Sequence, residues 1–196
     1  MKKWTRKRII DAFIRLVSRY GYEDVSVEMI LKESEISKTT FYRYFKDKAD
    51  VMDARFRTLY DEAVFRHDVR SLQDLFTVLL QQSKENGDQY AMFSTTGYNS
   101  YTEFVYRYTF EMGKEIMEKA WGRESTPREY FHISTFCAGG SKIMQEWAMG
   151  KQFTNMTAAE IAGELCTMIH PHYLVRLEDD VKAAVMETIQ KRNGFK

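Results

Sequence analysis

The chain has 196 residues, of which 44% are apolar and 14% aromatic, enough for one or two hydrophobic cores, and a formal charge of +1. No run of about 18 apolar residues occurs, which excludes a helical membrane span, and the charged amino end leads into an amphipathic stretch instead of an apolar signal core. A cytoplasmic location without a membrane partner is therefore expected. Cys137 and Cys166 sit far apart on apolar helical stripes, a pattern of buried thiols in a reducing compartment. The small net charge hides an asymmetry: residues 1–50 hold 12 Lys+Arg against 8 Asp+Glu, net +4, while residues 51–196 hold 17 against 20, net −3. Seven of the cations fall in the first nineteen residues beside one acid, Asp11, which favours a polyanion through counterion release.

Ile9, Ala12, Phe13, Leu16, Val17 and Tyr20 form one stripe of helical period, and Gly21 ends the helix that carries it. Ser26 to Glu33 reads as a second helix, followed by Ser34-Glu35-Ile36 as a tight turn with one inward apolar residue. Ser37 is a good N-cap for a short third helix. Phe41 and Phe45 lie one turn apart and face a core shared with Val27, Ile30, Leu31 and Ile36, while Lys38, Thr39, Tyr42 and Arg43 project from the other faces. This is the pattern of a helix-turn-helix, and it makes DNA a better partner for the basic amino end than anionic lipid. Asp47 is the expected N-cap of a fourth helix with the stripe Met52, Phe56, Leu59, Tyr60 and Ala63, running to about residue 66. Lys48 then falls in its first turn, where the helix dipole disfavours a cation unless it has a partner; a DNA phosphate is the expected one.

Residues 5 to 52 resemble the DNA-binding domain of the TetR family of bacterial transcriptional regulators. The resemblance is carried by Thr5 opening the first helix, the Ile9, Ala12, Phe13, Leu16 face, Gly21-Tyr22, Val27, Ile30, Ser37, the Phe41-Tyr42-Arg43-Tyr44-Phe45 run and Lys48. Where the family commonly has a small residue and then glycine, this chain has Ser34 and Glu35, so Glu35 is expected in a left-handed turn at a cost of roughly 1 kcal/mol. The resemblance implies an all-α fold, with a helix-turn-helix domain over 1–48 and a helical effector-binding and dimerisation domain over 49–196. It further implies a homodimer on a palindromic double-stranded DNA operator, with recognition helices about 34–36 Å apart, and an apolar or aromatic small-molecule effector. Repression is the commoner outcome in that family. By matching positions, Tyr42 and Lys48 would hold phosphates, and Lys38, Thr39, Thr40 and Arg43 would reach base edges or adjacent backbone, with Ser26 and Ser37 at the helix starts. Tyr44 is expected to be a core aromatic.

Further along, Ser71 opens a helix with Leu72, Leu75, Phe76, Leu79 and Leu80 on one face, ended by Asn86-Gly87, and residues 89 to 95 read as a short helix closed by Gly97. The helix over about 100–120 is apolar on two faces, Tyr101, Phe104, Val105, Tyr108 and Met112 on one and Tyr106, Phe110, Gly113, Met117 and Trp121 on the other, so it is expected at the centre of its domain. Thr126-Pro127-Arg128-Glu129 is a capping box that opens a helix to about Met149, and Thr157 to Glu160 is a second box. A last helix within 171–196 carries Leu177, Val181, Val185 and Ile189. Gly139 and Gly140 each cost about 1 kcal/mol in a helix interior, and the TetR resemblance implies that close helix approach compensates, either at a dimer interface or against the central helix. By the same resemblance, Gly139, Gly140, Ile143, Ile161 and Leu165 are the expected dimer contacts. Phe93, Tyr98, Phe104, Tyr108, Met112, Met144 and Trp147 are the expected pocket lining, with simple core packing as the competing role.

Cys166, His170 and His172 lie close in sequence, but without an evident fourth ligand no metal or other cofactor is expected. No phosphate loop, Ser-His-acid series or paired-carboxylate motif stands out, so no enzymatic activity is expected. The alternative function is a TetR-like co-regulator that binds protein without reading DNA.

Overall fold

A computed structural model of the chain describes residues 2–87, 97, 99–169, 173 and 181–193. Among them are nine α-helices: α1 (Lys2–Tyr20), α2 (Val27–Ser34), α3 (Lys38–Tyr42), α4 (Lys48–Arg66), α5 (Leu72–Glu85), α6 (Tyr101–Trp121), α7 (Pro127–Ala148), α8 (Ala158–Thr167) and α9 (Val181–Asn193). The fold is all-helical, as expected. The expected helix over 89–95 lies outside the described residues, and so does Leu177 of the last helix. The chain divides into two compact units, one running through Thr58 and the other formed by Leu59–Gly87 and Thr102 onward.

The first unit is built on the α1 stripe. Ile9, Ala12 and Phe13 are completely buried, and Leu16 and Val17 nearly so. Two details differ from the sequence expectation. Helix α1 already begins at Lys2, placing Thr5 inside it, and Tyr20 is 47% exposed beneath the Arg19 guanidinium instead of continuing the stripe. Its place in the core is taken by Tyr22 and Val25, because Gly21 at φ +82° turns the chain back over Phe13, whose ring meets Tyr22 edge-on at 6.4 Å. Ser26 caps α2 by accepting from Met29 N–H at 3.2 Å. Glu35 has φ 53° and ψ 37°, the left-handed conformation anticipated for it. Ser34, completely packed, turns its hydroxyl back to Ile30 C=O at 2.6 Å.

In the second unit α6 carries the core. Phe104, Val105, Tyr108, Met112 and Ile116 are all buried, and Tyr60 of α4 stacks against Phe104 and Tyr108 at 5.9 and 5.2 Å between ring centres. Asp61, to which no sequence pattern points, is fully buried and accepts from the Tyr108 hydroxyl at 2.8 Å. Helix α8 packs along α5, where a Cβ on Gly163 would come within 3.3 Å of the Gln73 side chain. Close approach to the central helix does occur, but through Gly113, which faces Ile133 and Cys137. The expected approach of Gly139 and Gly140 to that helix is not present: a Cβ on either would meet nothing within 4 Å.

Three helix starts are locked by reciprocal capping boxes, Ser71 with Asp74, Thr126 with Glu129 and Thr157 with Glu160, the last two as read from the sequence. Glu129 is the most constrained of these. Arg123 clasps its carboxylate through two nitrogens at 2.8 and 2.9 Å, and Thr126 N–H and Oγ1–H add bonds at 2.7 and 2.8 Å. Those bonds, Arg123 first, hold its pKa down to about 2. A carboxylate depressed in the folded state stabilises it above the unfolded value and loses that contribution as pH falls through the folded one. Glu129→Gln is therefore expected to lower the melting temperature at neutral pH and to flatten the fall in stability between the ordinary carboxylate range and pH about 2. Thermal melts across that window check this, and parallel wild-type and variant curves would refute it.

Candidate nucleic-acid interface

Helix α3 has only five residues, too short to persist by itself. Packing and caps hold it. Phe41 is fully buried and Phe45 is 3% exposed, with ring centres 5.9 Å apart. Ser37 Oγ accepts from Thr40 N–H at 3.2 Å and donates to Thr40 Oγ1 at 2.9 Å, and Arg43 Nη2 donates to the same Oγ1 at 3.1 Å. Ser37, Lys38, Thr39, Tyr42 and Arg43 are all exposed, Tyr42 with half its surface free, while Thr40 and Tyr44 are half-buried. Residues 37–45, α3 and its flanks, thus show phenol, hydroxyl, ammonium and guanidinium groups outward, over two buried rings. Ser26 stays on α2 as a cap, partly buried.

The cations of α1 are less available than their count suggests. Lys7 pairs with Asp11 at 2.6 Å, Arg8 with Glu35 at 2.9 Å and Arg15 with Glu33 at 2.7 Å. Arg6 is half-buried with its guanidinium 5.5 Å from the centre of the Phe45 ring, and burial lowers its pKa against the opposing field of Asp50. Exposed pairs of this kind contribute little to stability and exchange readily for phosphate. Two of them tie α1 to α2 and its turn, a link invisible in the sequence because the partners are 18 and 27 residues apart.

Lys48 departs from its expected role. Its ammonium donates to the carbonyl oxygens of Tyr22, Glu23 and Val25 at 2.8, 3.0 and 2.9 Å and lies 4.5 Å from the centre of the Tyr22 ring. An ammonium has three N–H donors and all three are occupied, so none is left for a phosphate. Burial, with the carboxylates of Asp47, Glu23 and Asp53, pushes the Tyr22 phenol up to about 12, so the ring beside Lys48 stays neutral. Asp47 caps α4 by accepting from Asp50 N–H at 2.8 Å, and Asp50 in turn accepts from Lys46 N–H at 3.0 Å.

The second unit contains a cavity of about 480 Å³ walled by α5, α6, α7 and α8. Met112 and Met144 line it. Phe104 and Tyr108 do not, being spent on packing against Tyr60, and Trp147 is held in the core by donating Nε1–H to Met156 C=O at 2.9 Å. Phe93 and Tyr98 lie outside the described residues. Leu75, Phe76, Leu79, Ile116, Ile133 and Cys137 complete much of the wall; the sequence marked several of them as inward-facing, with nothing to separate cavity from core. Among the described lining residues there is no Lys, Arg, Asp or Glu. Thr109 and Ser141 donate to the carbonyls of Val105 and Cys137 at 2.8 and 2.6 Å, and His132 bonds to the Tyr173 hydroxyl. Burial pushes the Cys137 thiol up to about 11, so it behaves as a small apolar group.

The expected dimer contacts separate into two sets. Ile161 and Leu165 are 3% and 6% exposed, on a helix that packs along α5, so neither lies on the surface of the chain. Gly139, Gly140 and Ile143 line the cavity, and Gly139 is exposed. His170 and His172 lie outside the described residues, and no group of three metal-ligating side chains occurs among the described ones.

Comparison with known proteins agrees with this geometry. Residues 9–54 match the family model of the bacterial regulatory proteins of the tetR family. An HTH-type transcriptional regulator of Bacillus subtilis strain 168, YuxN, is 31% identical over 112 residues, covering 53% of this chain and 38% of YuxN. The HTH-type transcriptional repressor KstR of Rhodococcus jostii strain RHA1 is 37% identical over 51 residues, covering 26% of this chain and 24% of KstR. The match therefore spans well under half the length of either relative. The solved structure of the dihydroxyacetone kinase operon activator DhaS shares the fold, with a TM-score of 0.50 at 20% identity over 84% of this chain and 93% of that one. With this helix-turn-helix, these capped and buried positions and these matches, residues 9–54 form a helix-turn-helix domain of the tetR family of bacterial regulatory proteins.

Proposed function

We propose that the protein is a cytoplasmic transcriptional regulator, most simply a repressor, that binds a roughly palindromic operator as a homodimer and changes affinity when a small molecule occupies its helical domain. The observation that carries this is the division of α3 and the residues just after it, 38–45, into buried Phe41 and Phe45 and exposed Lys38, Thr39, Tyr42 and Arg43. In this reading Tyr42 bonds a phosphate and Lys38, Thr39 and Arg43 reach base edges or neighbouring backbone, with Thr40 and Ser37 holding them in place. The named activities of KstR, a repressor, and DhaS, an operon activator, bracket the sign of regulation. The absence of formal charge from the described cavity wall suits a neutral, hydrocarbon-rich effector. The exposed stripe of α7, with Phe131 65% exposed and Thr135 and Gly139 beside it, is the surface offered for the dimer, and the same three residues also line the cavity.

The DNA reading is tested by letting the protein select a duplex from a randomised pool and titrating that duplex at several salt concentrations. Arg43→Ala is expected to cost about 1–3 kcal/mol and relax preference at one position, and Lys38→Ala to reduce the salt slope by about 1. Failure of the wild type to select any duplex would favour the protein-binding co-regulator instead.

For the effector, Met144→Trp fills the cavity without adding charge. A neutral naphthylamine fluorophore should bind the wild type, shift its affinity for the selected duplex, and bind the variant far more weakly; equal binding to both would place the effector site elsewhere.

For the dimer, Gly139→Glu puts a charge on the α7 face at a position where the protomer has room for a side chain. Sedimentation equilibrium should show a folded monomer, whereas an intact dimer would remove α7 from the interface.

A further inference from the structure

Lys48 lies at the first position of α4, where the helix dipole opposes its charge, and what offsets that cost is a cage of three backbone carbonyls. The cage exists because Gly21, at φ +82°, reverses the chain after α1 and Val25 N–H bonds back to Tyr22 C=O at 3.4 Å. That turn brings the oxygens of residues 22, 23 and 25 to one point. The next residue, Ser26, caps α2, so the cage ends where the helix-turn-helix begins. Lys48 itself sits where the helix-turn-helix ends, in a connection already locked by Asp47 and Asp50. One side chain therefore clasps both ends of the segment that contains α2 and α3.

Resting on the DNA-binding reading above, we propose that Lys48 is a positioning residue for operator recognition: it fixes the α1–α2 connection to the first turn of α4, and so orients the α3 face, while making no phosphate contact itself. A phosphate contact and a clasp predict different losses. Removing a phosphate contact weakens all duplexes alike and lowers the number of counterions released. Removing a clasp leaves that number intact and penalises only the complex that needs α2 and α3 held in register with the groove. Specific affinity falls while non-specific affinity stays.

The test uses the full chain, the duplex it selects and a mixed-sequence duplex of equal length, each titrated over a salt series, with thermal melts to confirm folding. Lys48→Met is expected to lower affinity for the selected duplex by about tenfold or more with the wild-type salt slope, and to leave mixed-sequence binding nearly unchanged. Lys48→Arg keeps the charge, but its planar fork does not match three carbonyls converging on a point, so it should show the same specific loss. If Lys48→Met fails to fold, Lys48→Arg decides alone. A slope reduced by about one in Lys48→Met, or wild-type affinity in either folded variant, overturns the positioning role and leaves the DNA reading standing. A wild type that selects no duplex overturns both.

Discussion

A five-residue helix cannot present chemistry to a partner unless something else holds it, and in this protein the burial of Phe41 and Phe45 does so. Two buried aromatic side chains remove enough apolar surface from water, roughly 2–3 kcal/mol each, to fix α3 about its own axis. Every outward group of α3 takes its direction from that anchoring. The same two rings explain why the outer face can be wholly polar: no apolar residue on it is required for folding.

Polar links then join the head into one body. Arg8 and Arg15 reach from α1 to Glu35 and Glu33, and Lys48 reaches from α4 to the carbonyls of the α1–α2 connection. These links differ in kind. The arginine pairs are exposed, so each guanidinium can leave its carboxylate for a phosphate at little cost. The Lys48 ammonium is saturated by three acceptors and partly covered by Tyr22, so exchanging them for one phosphate would leave carbonyls unsatisfied. Glu35 illustrates how a departure from the common turn sequence is accommodated: its left-handed backbone is strained, and its side chain, turned toward Arg8, sits as a partner of α1.

The second unit separates packing from vacancy along single helices. On α6, Phe104 and Tyr108 close the core with Tyr60 and Asp61, and one turn further Met112 opens onto the cavity. On α7, Trp147 is tied down through its indole N–H while Met144 and Gly140 face the empty volume. Flexible, unbranched methionines at such a boundary suit a wall that adapts its shape.

Helix existence, the capping boxes at Thr126 and Thr157 and the Phe41 and Phe45 anchor were legible in the chain itself, because each depends on residues within about one helical turn of one another, whereas the left-handed turn at Glu35 was legible only through the family resemblance. Tertiary structure alone decided the matters that depend on distant residues. It gave Lys48 to carbonyls more than twenty positions away, buried Tyr22 in place of Tyr20, buried Ile161 and Leu165, and left open space beside Gly139 and Gly140. Periodicity shows that a side chain faces inward; whether it meets another side chain, a cavity or a second protomer is set by how helices cross, and no local pattern encodes that.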